Sequence, residues 1–140
     1  MKINLLRLVF GAAILVVLGV LWQAFSIVAY IRSGEDGWLD AHGTGSLFVH
    51  IGQLGIVIGT IAVAWGRWRV VGIAVLFLVL SVVQLAALGD TEESGSWVNG
   101  FHGMLALVVM LAALGYWSWA KNQLDGRPPI VNQGTGSSDL

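Results

Sequence analysis

The sequence predicts an all-α protein, a four-helix transmembrane bundle, and three observations support this fold class. Of the 140 residues, 56% are hydrophobic and only 11% are charged, whereas soluble domains carry roughly 25% charged residues. The apolar residues are gathered into four runs, and each run approaches or exceeds the ~20 residues that a helix needs to cross a bilayer. Because backbone polar groups in lipid must be satisfied within their own segment, runs of this length predict helices.

The four helices are expected at about residues 5–31, 41–65, 70–88 and 97–120, within a transmembrane domain at about 1–123. The first run follows Lys2 and Arg7, as the core of a signal peptide does, but it is longer than such a core and no Ala-x-Ala cleavage site follows it. We therefore expect this run to remain as the first helix. Residues 124–140 are rich in Gly, Ser, Pro and Asn and lack an apolar period, which predicts a disordered cytoplasmic tail.

The charged residues predict the orientation of the helices. Six of the 7 Lys and Arg lie in the N-terminal end, in the turn at 67–69 and in the tail, whereas only Arg32 lies on the opposite side, beside acidic loops at 32–40 and 89–96. Since basic residues favour the cytoplasmic side, both termini are expected there, in a prokaryotic plasma membrane. The net charge of −1 offers no basic excess for nucleic acid. The expected partners are the lipid bilayer and either other membrane subunits or further copies of this chain.

Six strongly polar side chains lie within the predicted helices, where each polar group is costly and needs a reason. They are Gln23, His42, His50, Gln53, Gln84 and His102. With the first and third helices running outward and the other two inward, all six fall in the outer half of the membrane or near its midplane. The inner half holds nothing more polar than Ser and Thr, so the six residues predict one polar pocket in the outer half.

The second helix shows how such a pocket would be built. At ~100° per residue, His42, His50 and Gln53 share one stripe about 80° wide. A separate stripe carries four glycines, at positions 45, 52, 55 and 59, and small residues at helical spacing let another helix approach closely. One face of this helix is therefore expected to pack tightly against a neighbour, while the other directs polar groups toward the interior.

Three histidines on two helices allow several interpretations, of which we favour a bound b-type haem used in redox or haem handling. The apolar walls of a four-helix bundle hold the macrocycle, and facing imidazoles supply the axial ligands. Counted from the predicted helix starts, His42 and His50 are each offset from His102 by ~6 Å in depth. We assign His50 and His102 as ligands of the iron because His50 is the deeper residue, and we expect His42 to meet a propionate or the outer acidic loop. The predicted pocket is completed by Gln23, Gln53 and Gln84.

Three alternatives stay open at this point. All three imidazoles could bind one zinc or copper ion, although their range of depths suits a single ion poorly. The pocket could instead handle protons or bind a small solute, with transport requiring an oligomer. In the last alternative, hydrogen bonds between histidine and glutamine hold the helices in register in a non-enzymatic accessory or assembly subunit.

The sequence offers no set of catalytic residues. The predicted helices contain no Asp or Glu for a carboxylate relay, and the chain shows no glycine-rich phosphate loop and no serine with a plausible His–Asp pair. The absence of cysteine excludes a disulfide framework, a thiolate metal site and a cysteine nucleophile. A catalytic role is therefore not expected.

Four segments carry a family resemblance, namely WQAFSIVAY, DAHGTGSLFVH, VVQLAAL and SWVNGFHGMLALV. Over about residues 5–120, the chain resembles a family of small four-helix prokaryotic membrane proteins with no assigned activity. The family pattern is matched by Gln23, Asp40, His42, His50, Gln84 and His102. A looser likeness links the chain to four-helix haem proteins of the cytochrome b561 type, through paired histidines on facing helices. Because this chain lacks two such pairs at two depths, the likeness implies one haem at most.

Overall fold

The computed structural model describes residues 1–88 and 96–126, and within those ranges it contains four α-helices and no β-strand. The helices are α1 (Lys2–Ser33), α2 (Gly37–Ala64), α3 (Trp68–Leu88) and α4 (Ser96–Leu124). The predicted all-α, four-helix fold is thus confirmed. The predicted acidic loop at 89–96 lies outside the described residues except for Ser96, as does the predicted tail from residue 127 onward.

Most helices extend beyond the apolar runs that predicted them, because an apolar run marks only the part of a helix that suits lipid. Helix α2 begins at Gly37, before the predicted start at residue 41. Its early start follows from a tight turn, in which Gly34 adopts φ 69° and ψ 14° and donates its backbone N–H to the Tyr30 carbonyl oxygen at 2.8 Å. Glycine suits this left-handed closing position because it has no Cβ. Leu124, predicted to belong to the tail, is the last residue of α4.

Each helix packs against the next one in the chain, and α4 closes the ring against α1. The centre of the bundle is apolar and takes fully buried side chains from every helix, among them Val9, Ile56, Ala74 and Ala113. Contacts between α1 and α2 are the most extensive of the four neighbouring pairs, and contacts between α3 and α4 are the sparsest within the described residues. The α1–α2 pair is therefore packed more extensively than the α3–α4 pair.

The extensive α1–α2 contact is a glycine seam, formed by Gly45, Gly52 and Gly59 on the face of α2 that meets α1. A Cβ atom on Gly45 would lie 2.8 Å from Cγ of Gln23, and one on Gly59 would lie 2.5 Å from Cγ2 of Val9. Contacts this short leave no space for a side chain, so the two backbones approach closely. The predicted glycine stripe is confirmed, and its partner is α1.

The outer surface of the bundle is rich in large apolar side chains. Leu18, Leu47, Leu76 and Leu111 are all more than half exposed, as expected where a surface faces lipid rather than water. Helices α1, α2 and α4 are long and apolar enough to cross a membrane, whereas the apolar segment of α3 is described only over Trp68–Gln84 and is shorter. These features are those of a membrane protein, and the fourth span remains a prediction.

Candidate functional site

A polar cavity of about 40 Å³ lies between the four helices, in the half of the bundle where α1 ends and α2 begins. This half is the one predicted to face outward, and we call it the outer half. The polar side chains that line the cavity are Gln23, Ser46, His50, Ser81, Gln84 and His102. Its apolar walls are Val20, Val49, Ala106 and Val109. Every helix contributes a polar group, and four of the six residues singled out by sequence line this cavity.

His50 is held in a defined orientation by its own helix. Its Nδ1 lies 2.7 Å from the backbone carbonyl oxygen of Ser46, and since a carbonyl only accepts, Nδ1 carries the hydrogen and donates. In the neutral ring the lone pair is then on Nε2. That Nε2 atom is buried and has no hydrogen-bond partner. His50 therefore offers one unpaired acceptor in the outer half of the bundle.

His42 lies at the outer end of the site rather than in the lining of the cavity. Its Nδ1 donates to the backbone carbonyl oxygen of Gln23 at 3.0 Å, and beside it Trp22 Nε1 donates to the carbonyl oxygen of Ala41 at 2.9 Å. Both hydrogen bonds join the end of α1 to the start of α2. The ring of His42 lies next to that of His102, with centroids 6.3 Å apart and planes at 42°.

His102 and Gln84 connect the two helices that pack most sparsely. Gln84 Nε2 donates to the backbone carbonyl oxygen of His102 at 3.1 Å, which joins α3 to α4 in the outer half. Nδ1 of His102 is buried and has no hydrogen-bond partner. The backbone of His102 is thus fixed by Gln84, while its imidazole, which lies next to His42, retains one unpaired nitrogen.

Gln53 lies deeper than the other predicted site residues. It is fully buried, and neither its amide oxygen nor its amide nitrogen has a hydrogen-bond partner. It comes three residues after His50 on α2, which places it ~4.5 Å further from the outer end. Gln53 therefore lies beneath the cavity and is not one of its lining residues.

Sequence reasoning missed Ser46, although a signal for it existed. Ser46 lies four residues after His42 and four residues before His50, so helical periodicity places it between them on the same stripe. The small residue Ala106, four residues after His102 on α4, also lines the cavity. The apolar lining residues, such as Val20 and Val109, carry no sequence signal that separates them from the rest of the core.

The structure does not assemble the three-imidazole metal site that sequence left open. Within the described residues, no group of three or more His, Cys, Asp or Glu side chains could hold a metal ion. One reason is that His50 comes eight residues after His42 on α2, which separates the two by ~12 Å along the helix. The two α2 histidines therefore occupy different levels.

The site can be compared with the two requirements of a b-type haem, which are axial nitrogen ligands for the iron and room for the macrocycle. Buried imidazoles with unpaired nitrogens suit the axial positions of a haem iron. The cavity of about 40 Å³ is far smaller than the ~300–1,000 Å³ pockets that hold drug-sized ligands. The imidazole nitrogens are therefore suitable ligands for a haem iron. The cavity is too small for the macrocycle, which would have to lie beside the histidines and outside the cavity.

Fold and site together define a membrane-type four-helix bundle with an imidazole-lined polar cavity in one half. Comparison with protein-family models, curated proteins and solved structures found no match for the chain. Its function is therefore inferred from the chemistry of the site.

Proposed function

We propose that the protein binds a b-type haem at the outer end of the bundle, with His42 and His102 as axial ligands, and acts in redox or haem handling. The observation that carries this proposal is the 6.3 Å separation of the two ring centroids. Metal–imidazole bonds of ~2 Å would place two ligand rings on opposite sides of one ion at a comparable separation. We therefore prefer His42 to His50 as the partner of His102.

The orientation of His42 supports a role as ligand. Because Nδ1 donates to the Gln23 carbonyl oxygen, the lone pair of the neutral ring is on Nε2. A metal-binding imidazole commonly has its other nitrogen bound to a carbonyl in this way, which fixes the ring and raises its basicity.

A haem held in this way would supply one-electron chemistry. The protein would supply the two imidazoles, the carbonyl of Gln23 that orients one of them, and the apolar surroundings. A single site near one end of the bundle favours exchange with a partner at that face of the membrane. It does not by itself provide a path across the bilayer.

The test is the visible spectrum of protein purified from membranes of haem-replete cells. Bis-histidine ligation predicts a Soret band with sharp α and β bands on reduction, which are lost in His42→Ala and in His102→Ala. His50→Ala is the matched control, because it removes the third histidine and should retain the spectrum. Colourless protein that also takes up no added haemin would overturn the proposal, and loss of the bands in His50→Ala alone would overturn the choice of ligand.

A structural role in an accessory or assembly subunit is a second candidate, and one observation favours it. His42 and Gln84 both donate to backbone carbonyl oxygens of a neighbouring helix, so they hold helices together without any ligand. In that case the purified protein is colourless and His42→Ala lowers its stability. His50→Ala has little effect, because the hydrogen bond of His50 to Ser46 lies within α2.

A further inference from the structure

Four buried polar atoms at the cavity or beneath it have no hydrogen-bond partner. They are Nε2 of His50, Nδ1 of His102, and both amide atoms of Gln53. An unpaired buried polar atom costs ~1–3 kcal/mol, so most such atoms in proteins are paired with another group or with water. Two of these atoms belong to residues that line the cavity, His50 and His102, and Gln53 lies just beneath it, so a polar occupant of the cavity is indicated.

The cavity can hold water. Its volume of about 40 Å³ is enough for roughly three water molecules, given the 10–15 Å³ that one water requires on this measure. Ser46, Ser81 and Gln84 also line the cavity, and these side chains can donate and accept hydrogen bonds. A buried water needs two to four polar partners, and the lining together with Gln53 supplies them.

The bundle is closed on the other side of Gln53. Ile56 comes three residues deeper on α2, Phe77 comes four residues deeper than Ser81 on α3, and Ala113 four residues deeper than Val109 on α4. All three deeper side chains are buried members of the apolar core. As whole residues, His42, His50 and His102 are each partly exposed. Polar groups therefore continue toward the outer end, while an apolar layer separates Gln53 from the inner end.

We propose that in the haem-free protein the cavity is part of a water-filled vestibule, which opens at the outer end, ends at Gln53 and admits water and small monovalent cations. The His42–His102 pair lies at its mouth, and Ser46, Ser81 and His50 line its walls. This inference goes beyond haem binding and does not require it. A haem held by the two outer histidines would close the mouth.

The chain contains no cysteine, so one introduced thiol reports on one position. Ser46→Cys on α2 and Ser81→Cys on α3 each place a thiol in the lining with little change of volume. Two control variants place it elsewhere: Ala113→Cys in the apolar core and Leu47→Cys on the exposed face of α2. Silver ions would be added to right-side-out and inside-out vesicles from haem-depleted cells. Thiols that remain unreacted would then be counted with a maleimide after denaturation.

We expect the thiols at positions 46 and 81 to react with silver about tenfold faster, or more, than those at 47 and 113, because apolar surroundings keep a thiol neutral and unreactive. The reaction should also be faster in right-side-out than in inside-out vesicles. Equal reaction rates with silver at positions 81 and 113 would overturn the vestibule. So would a full count of maleimide-reactive thiols at both 46 and 81 after exposure to silver. Faster reaction in inside-out vesicles would overturn its direction. The haem spectrum is a separate measurement, so either proposal can fail alone.

Discussion

Gly52 of α2 and Val16 of α1 are in direct contact across the glycine seam: a Cβ atom on Gly52 would lie 2.7 Å from Cγ2 of Val16. The same Cβ would lie 2.8 Å from the backbone carbonyl oxygen of Ala12. A valine methyl can rotate away, but a helix carbonyl cannot move without shifting the helix. Only glycine therefore fits at this position while α1 and α2 keep their spacing.

Gly52→Ala should lower the free energy of unfolding by ~1–3 kcal/mol, the usual cost of overpacking a tight interface. Denaturation in mixed micelles with increasing SDS would measure it. Gly11→Ala on α1 is the matched control, because its Cβ would meet nothing within 4 Å, and it should be neutral or stabilising by up to ~1 kcal/mol through helix propensity. Equal losses in both variants would show that the seam does not limit α1–α2 packing.

Removal of two buried hydroxyl groups, those of Thr60 and Ser26, should affect the stability of the protein differently. Thr60 Oγ1 is buried and has no hydrogen-bond partner, so Thr60→Val should leave stability unchanged or raise it by up to ~1 kcal/mol. Ser26 is fully buried and its Oγ donates to the Gln23 carbonyl oxygen at 3.1 Å. Ser26→Ala should therefore lower stability by ~0.5–1.5 kcal/mol. The same denaturation assay compares the two variants. If Thr60→Val lost as much stability as Ser26→Ala, the Thr60 hydroxyl would have a hydrogen-bond partner after all.

Tyr116 joins α4 to the inner end of α3, because its hydroxyl donates to the Val70 carbonyl oxygen at 2.9 Å. Tyr116→Phe removes that hydrogen bond and keeps the ring, so we expect a loss of ~0.5–1.5 kcal/mol. Tyr30→Phe is the control. No hydrogen bond of the Tyr30 hydroxyl is seen in the described part of the chain, so its removal should change stability little. Identical melting temperatures for the Tyr116→Phe variant and the unaltered protein would rule out a contribution from this contact.

The fourth span can be tested by locating the two termini. Helix α3 has 21 residues, and at ~1.5 Å per residue it is about as long as the ~30 Å hydrocarbon core is thick. If α3 spans the membrane, reporters fused to the N- and C-terminal ends are both active on the cytoplasmic side. Reporters on opposite sides would mean three spans, and α3 would then lie along the interface.

The arrangement of the histidines shows where sequence reasoning succeeded and where it stopped. Apolar runs predicted the helices because lipid leaves the backbone no alternative, and periodicity predicted the shared stripe on α2. The predicted depths were counted from the start of each apolar run, whereas the helices begin earlier. Since α2 begins at Gly37 and α4 at Ser96, His42 is the sixth residue of its helix and His102 the seventh of its own, so they lie at nearly one level. A helix start set by a loop turn is not visible in an apolar pattern.

The sequence predicted that a polar region exists in the outer half, but it did not predict which of its residues line the cavity. Polar side chains inside lipid must gather, so the sequence indicated that Gln23, Gln84 and the histidines share one region. Which of them reach the same space depends on how far each helix is rotated and shifted, and those displacements are set by contacts such as the one between Gly59 and Val9. The unpaired amide of Gln53 is likewise visible only once its neighbours are in place.

The glycine seam also bears on how the chain is assembled during its synthesis. Its two helices are consecutive and precede α3 and α4 in the chain, and only Gly34–Asp36 separate them. They can pair as a hairpin before α3 and α4 have left the ribosome. Helices α3 and α4, whose contact with each other is sparse within the described residues, would then pack against this hairpin, and the polar cavity is complete only once α4 is in place. The most extensive helix–helix contact would thus form early in synthesis and the cavity late.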